Sequence, residues 1–172
     1  MKLCEQLYTI RYMTEQDLET LIHWFESEKL TYYYEENQPQ NILIKKYKDK
    51  IKGNSRVIGF ILMIDNIEIG YMQIYPISTN IKKELNYNNS EKIYGIDQFI
   101  AEPINWGKGY GTTFIRLMIK FLSLEYNTDR VLLDVRKDNI RAIKSYKKCG
   151  FEYKIDKDDK YIYMEHICSS TD

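Results

Sequence analysis

The hydrophobic and polar positions of this chain fall into two periods, and the switches between them predict its elements. Residues 8–13 alternate as a first strand. Thr14 and Asp17 then form a helix-start signal ahead of a helix over 15–29, with Leu18, Leu21, Ile22 and Phe25 on one face. The aromatic-acidic run 32–37 reads as a loop or helix junction, and 42–51 as a second helix, lysine-rich outside, ending near Gly53. Two strand-like runs, 56–64 and 67–77, flank Asp65-Asn66 and predict a hairpin. The polar, Asn-rich residues 79–91 read as an insertion loop. Residues 94–100 read as a strand ending before Pro103. A long amphipathic helix follows to about Tyr126, with Phe114, Leu117, Met118, Phe121 and Leu122 at three- and four-residue steps. Residues 130–134 form a buried strand, 139–149 a short helix closed by Gly150, and 152–155 with 161–165 a closing hairpin. This order predicts an α/β fold with one mixed, mostly antiparallel sheet flanked by helices.

The length of 172 residues suits one domain, expected over 1–168 with a short tail at 169–172. Lys plus Arg number 25, as do Asp plus Glu, so charge suggests neither nucleic acid nor an anionic membrane as partner. The N-terminus is too polar for a signal peptide and no apolar run reaches membrane-spanning length, which predicts a cytoplasmic protein. Cys4, Cys149 and Cys168 are far apart, which predicts reduced thiols and no metal site. Tyrosine stands out at 16 residues, a supply of rigid contact surface with a polar tip.

Candidate chemistry concentrates between residues 94 and 112. A strand runs into Trp106-Gly107-Lys108-Gly109-Tyr110-Gly111-Thr112 and then into the long helix. Glycines turn backbone N–H groups toward a ligand, and the helix start adds partial positive charge, so this arrangement suits an anion. Asp97 lies mid-strand among apolar neighbours, where a carboxylate is costly unless something pairs with it. His23 and His166 fit no catalytic constellation. No serine or cysteine nucleophile has a nearby histidine, which argues against a covalent enzyme intermediate.

Two blocks resemble the GCN5-related N-acetyltransferase superfamily. The Trp106–Thr112 loop looks like its acetyl-CoA pyrophosphate loop, and Asn139-Ile140-Arg141-Ala142 through Tyr146 to Gly150-Phe151 looks like its N-x-x-A-x-x-x-Y-x-x-x-G-F helix. Tyr94-Gly95-Ile96-Asp97-Gln98, Leu133-Asp134, Arg141-Ala142-Ile143 and the 70–75 strand are similar to the aminoglycoside 6'-N-acetyltransferases. Trp106 stands where the superfamily often has Gln or Arg, and Val135 where a proline is usual.

The resemblance implies a sheet splayed at a central parallel strand pair, with acetyl-CoA as cofactor. Its pyrophosphate would lie on backbone from Gly107 to Thr112, assisted by Lys108 and Thr112, and its pantetheine arm would pair with Phe99 and Ile100. Asn139 would cap its helix, hydrogen-bond the pantetheine, or both. Tyr146 is the implied general acid toward the departing thiolate, or else a packed tyrosine. Asp97 would bind the reacting amine and act as its base, or else hold backbone N–H groups. Asp134 would take a second ammonium, with Glu36, Asp158 and the ring of Tyr34 at the rim, or else these belong to a solvated acidic loop and to packing. The implied partner is a small polycation, an aminoglycoside, on a monomer or homodimer. A polyamine, a siderophore precursor, a protein N-terminus, or a non-catalytic acyl-CoA sensor are the alternatives.

Overall fold

The computed structural model describes residues 7–169, so Cys4 and residues 170–172 lie outside the described residues. Strands β1 (Tyr8–Tyr12), β2 (Ile58–Ile64), β3 (Ile67–Pro76), β4 (Ile93–Ile100), β5 (Arg130–Arg136), β6 (Glu152–Asp156) and β7 (Tyr161–Ile167) form a sheet in the order β1-β2-β3-β4-β5-β7-β6. Helices are α1 (Leu18–Trp24), α2 (Glu28–Tyr34), α3 (Gln40–Ile51), α4 (Thr79–Glu84), α5 (Tyr110–Tyr126) and α6 (Ile140–Lys148). β4 and β5 run parallel, whereas β1–β2, β5–β7 and β6–β7 are antiparallel. The mixed, mostly antiparallel sheet is the expected one. No helix among the described residues is long and apolar enough to cross a membrane.

The chain divides into two compact units. The first holds Met1–Gln73 and Gln98–Tyr110. Its core is aromatic: the Phe99 ring lies 4.8 Å from that of Tyr34, 5.5 Å from Phe25, 5.8 Å from Tyr71 and 5.9 Å from Trp24. The pairs with Tyr34, Phe25 and Trp24 are edge-on, a geometry that contributes about 1 kcal/mol each beyond burial. Asp65 and Asn66 adopt φ values of 50° and 66°, the doubly left-handed turn whose twist matches that of paired strands. Residues 15–29 do not form one helix. Glu15–Asp17 is a 3₁₀ turn before α1, and the Ser27 side chain accepts from the Leu30 N–H to start α2, which takes up the first half of the expected 32–37 junction. Serine competes for backbone donors and so restarts a helix.

Asp17 is buried at 3% exposure, and its carboxylate accepts from Arg11 at 2.7 and 2.8 Å and from the Thr14 N–H at 2.7 Å. Burial alone would raise its pKa, but these donors outweigh burial and hold it below the usual carboxylate range. The folded chain therefore binds this proton more weakly than the unfolded chain. The stabilisation is present above the unfolded carboxyl pKa and is lost as pH falls through the lower folded value. Acid titration of thermal stability should show a smaller loss between about pH 5 and 3 in Asp17→Asn than in the parent.

The second unit holds Ile74–Asp97 and Gly111–Asp172. Residues 79–91 are not a plain insertion loop. Ser78 caps α4 by accepting from the Ile81 N–H, and Leu85 and Tyr87 bury against Ile77, Ile93, Leu132 and Tyr163. The buried face of α5 is Phe114, Ile115, Met118, Ile119 and Leu122, one position round from the expected stripe, so Leu117 is exposed. Parallel pairing of β4 with β5 covers Ile93 to Gly95 against Arg130 to Leu132. Asp97 and Asp134 both lie beyond that register.

Candidate active site

The glycine loop belongs to the first unit up to Tyr110. A 3₁₀ turn at Pro103–Asn105 leads into Trp106, whose indole N–H donates to the Ile100 carbonyl at 2.7 Å. The tryptophan thereby ties the end of β4 to the loop. Gly107 and Gly109 have φ of +76° and +86°, a region that side chains disfavour. A Cβ built on either meets no atom within 4 Å, so the backbone there faces open space rather than packed protein. Lys108 lies between them, its ammonium 3.4 Å from Asn105 Oδ1 and over the Tyr110 ring. An exposed left-handed glycine turn with a lysine, running straight into the 17-residue helix α5, fits a diphosphate group.

The register between β3 and β4 corrects one expectation. Ala101 N–H donates to Ile69 O at 2.9 Å, and Ile77 N–H to Ile93 O at 3.0 Å. Backbone groups alternate along a strand. Odd-numbered residues of β4, Phe99 included, therefore turn their N–H and C=O toward β3. The edge turned away from β3 belongs to Ile96, Gln98 and Ile100, and the Ile100 carbonyl is engaged by Trp106. The Gln98 and Ile100 amides thus lie on the edge turned away from β3, whereas the Phe99 amide faces β3 and its side chain fills the aromatic core.

Asp97, Tyr75, Asp134 and Tyr146 all lie in the second unit. Tyr75 Oη donates to Asp97 Oδ1 at 3.2 Å. Gly95 makes this possible, since a Cβ on it would lie 2.2 Å from the Tyr75 ring. Tyr75 and Gly95 are opposite one another across β3 and β4, and Asp97 is two residues on, on the same face. Burial, first, and then the charges of Asp97 and Asp134 push the Tyr75 phenol far above its ordinary pKa. Burial, Asp97 and Asp134 do the same to Tyr146, which is buried on α6 against Phe151. Both carboxylates therefore bear on the same two phenols, and both phenols stay protonated as hydrogen-bond donors. The Tyr75–Asp97 contact leaves no mark in the sequence, because it depends on a cross-strand glycine.

Other candidate residues have partners of their own. Asp134 Oδ2 accepts from Lys157 Nζ at 3.0 Å. Glu36, expected on a solvated acidic rim, is instead 6% exposed, held by Lys46 at 2.7 Å and by the Tyr47 hydroxyl at 3.1 Å in the first unit. Tyr34 packs between Phe25 and Phe99. Asp158 is exposed and closes the β6–β7 turn by accepting from the Lys160 and Tyr161 N–H groups at 2.7 and 2.8 Å. Asn139 caps α6, accepting from the Ala142 N–H at 3.2 Å. Thr112 shares a 2.7 Å hydrogen bond with Ser145, and the Cys149 thiol donates to the Thr112 carbonyl at 3.4 Å, so α5 and α6 are joined at this point. Burial raises the Cys149 thiol, which leaves it a poor nucleophile.

Residues 13–157 match the model of the acetyltransferase (GNAT) domain. Aminoglycoside N(6')-acetyltransferase type 1 of Klebsiella pneumoniae is 29% identical over 147 residues, covering 84% of this chain and 73% of that protein. The spermine/spermidine N(1)-acetyltransferase of Bacillus subtilis (strain 168) is 29% identical over 70 residues, 41% of this chain and 46% of that one. The crystal structure of aminoglycoside acetyltransferase AAC(6')-Ib in complex with coenzyme A superposes with a TM-score of 0.77 at 26% identity, covering 94% of this chain and 95% of the other. The same enzyme is also known with coenzyme A and kanamycin together. With a family match across most of its length and a glycine turn that fits the diphosphate of the family's cofactor, acetyl-CoA, the chain belongs to the GNAT acetyltransferases.

Proposed function

We propose that this acetyltransferase acts on the 6'-amine of aminoglycosides and so confers resistance to them. The carrying observation is the pair of carboxylates, Asp97 and Asp134, at matching positions of the parallel strands β4 and β5 beyond their paired register, the first of them bonded to the Tyr75 hydroxyl at 3.2 Å. Two anionic positions near two neutral donors favour a small polycation over a neutral or singly charged amine. The similarity to an aminoglycoside 6'-acetyltransferase along 84% of the chain supports the same acceptor.

Acetyl-CoA, when bound, supplies the acyl group as an activated thioester. Backbone N–H groups from Gly107 to Gly111 hold its diphosphate, and Lys108 adds a mobile positive charge. The Gln98 and Ile100 amides, on the outer edge of β4, are the donors that orient its pantetheine arm. An amine is mostly protonated at neutral pH, so it loses a proton before it reacts. Asp97 binds that ammonium and takes the proton at Oδ, directly or through one water. The hydrogen bond from Tyr75 keeps the carboxylate facing the amine. Tyr146 holds a proton at Oη and offers it to the departing sulfur.

Because the Tyr146 phenol is raised above its ordinary pKa of about 10, it does not titrate in the working range. Tyr146→Phe should lower kcat by about 10- to 100-fold, and by a constant factor between about pH 6 and 9. An unchanged kcat would remove the acid role, and a factor that shrinks toward high pH would mean that the phenol titrates within the range.

The reading is tested by thiol release from acetyl-CoA against kanamycin, its analogue with hydroxyl in place of the 6'-amine, spermidine and a generic peptide. Turnover of kanamycin but not of the 6'-hydroxy analogue is expected. The partial match to a spermine/spermidine acetyltransferase supports polyamine acetylation as the second reading, and turnover of spermidine alone would establish it.

A further inference from the structure

Asp134 carries a cation of the chain's own. Lys157 Nζ lies 3.0 Å from Asp134 Oδ2, and 5.4 and 5.6 Å from the ring centroids of Tyr163 and Tyr161. The antiparallel register sets this out, with Tyr163 directly opposite Asp134 and Tyr161 opposite Arg136. A carboxylate beside two aromatic faces is what recognises an ammonium. The head of lysine is a primary ammonium, the same group that an amino sugar or a polyamine presents. The site is therefore built for a cationic amine and filled by one.

The root of Lys157 is fixed and its end is not. Its N–H donates to Tyr161 O at 3.0 Å, and Asp158 closes the turn that follows, so the backbone stays in place. The four-carbon stem has free rotations, and its side chain is 37% exposed. Partial burial works most strongly against its charge, but the bond to Asp134 and the negative charges of Asp134 and Asp158 together outweigh it and raise the pKa, so the head is an ammonium throughout the neutral range. Ion pairs this close to solvent are weak, because water screens them and holding two flexible side chains in place costs entropy. The pair is thus specific in geometry and weak in energy, which is what a displaceable occupant requires.

We propose that Lys157 is a resident ammonium in the Asp134 subsite, displaced by a second amine of a polycationic acceptor, and that it thereby sets acceptor affinity. This rests on the polycation reading above. When the acceptor arrives, the lysine swings to solvent and its bond to Asp134 is replaced by one from the substrate. Amines with a single charge do not need the subsite and leave the lysine where it is.

The test compares Lys157→Met, which keeps the stem and removes the charge, with Lys157→Arg, whose planar guanidinium grips a carboxylate more firmly. KM for kanamycin and for spermidine should fall about fivefold in Lys157→Met, the equivalent of about 1 kcal/mol, with kcat within twofold. KM for glucosamine, with its one amine, should move less than twofold. Lys157→Arg should raise KM for the polycations, which keeps the test open if Lys157→Met fails to fold. An unchanged or higher kanamycin KM in folded Lys157→Met, or an unchanged one in Lys157→Arg, overturns the inference while turnover by the parent leaves the polycation reading standing. A parent enzyme that acetylates neither kanamycin nor spermidine overturns that reading, and the inference with it.

Discussion

Asp97→Asn is expected to lower kcat/KM for kanamycin by about 10²- to 10⁴-fold while leaving acetyl-CoA affinity within about twofold. Asparagine keeps the shape and can still accept from the Tyr75 hydroxyl, so the fold should tolerate it. What it lacks is a basic oxygen to take the ammonium proton and a negative charge to hold the amine. Loss of the charge alone would raise KM; loss of the base would lower kcat, so the two parameters separate the roles. The same change removes the negative charge that Asp97 places on the Tyr75 and Tyr146 phenols, both of which should titrate at lower pH than in the parent. The decisive measurement is the steady-state kinetics of the variant alongside acetyl-CoA binding by calorimetry. An unchanged kcat/KM would end the assignment of Asp97 as base.

Gly95→Ala should cost both stability and activity. The added methyl would stand 2.2 Å from Tyr75 Cε2 and 2.5 Å from Cζ, well inside contact distance, so the partly buried ring, packed against the Ile77–Leu85 cluster, must shift. Relief of such a clash typically costs about 2 kcal/mol, a Tm lower by about 5 °C for a chain of this length. A displaced ring carries its hydroxyl away from Asp97, and one lost bond to a carboxylate corresponds to about a tenfold or greater fall in kcat/KM. Tyr75→Phe isolates the second effect, since it removes the bond and leaves the ring in place. The two variants should show similar kcat/KM, with a clearly larger Tm loss for Gly95→Ala in scanning calorimetry. Full activity in folded Gly95→Ala would show that Tyr75 does not orient the carboxylate.

Some of this was legible residue by residue. The Gly107 and Gly109 turn could be read because only glycine accepts those backbone angles cheaply, and such a constraint is written in a single letter. Asp65-Asn66 was legible for the same reason, as was the Asn139 cap. The division of residues 15–29 into two helices turned on Ser27, where a side-chain cap outweighed the continuing apolar periodicity. α4 hid in a polar stretch because six residues are too few to display a period, although Ser78 and the Ile81–Leu85 spacing carried a faint signal.

The acidic residues divide most sharply. Glu36 and Asp134 look alike in the sequence, acids near aromatic residues, yet one is enclosed by Lys46 and Tyr47 and the other holds Lys157 beside two tyrosine rings. Local properties were determined by the sequence itself: the period of each element, its caps, the glycine angles and the motif order that marks the family. Only the tertiary structure decided which side chains meet, because strand register sets those meetings. Register fixed that Phe99 faces β3, that Gly95 admits the Tyr75 ring, and that Tyr163 stands opposite Asp134. Such pairings join residues up to about thirty positions apart through hydrogen bonds of the backbone, which every residue type makes alike and which therefore leave no mark in the letters.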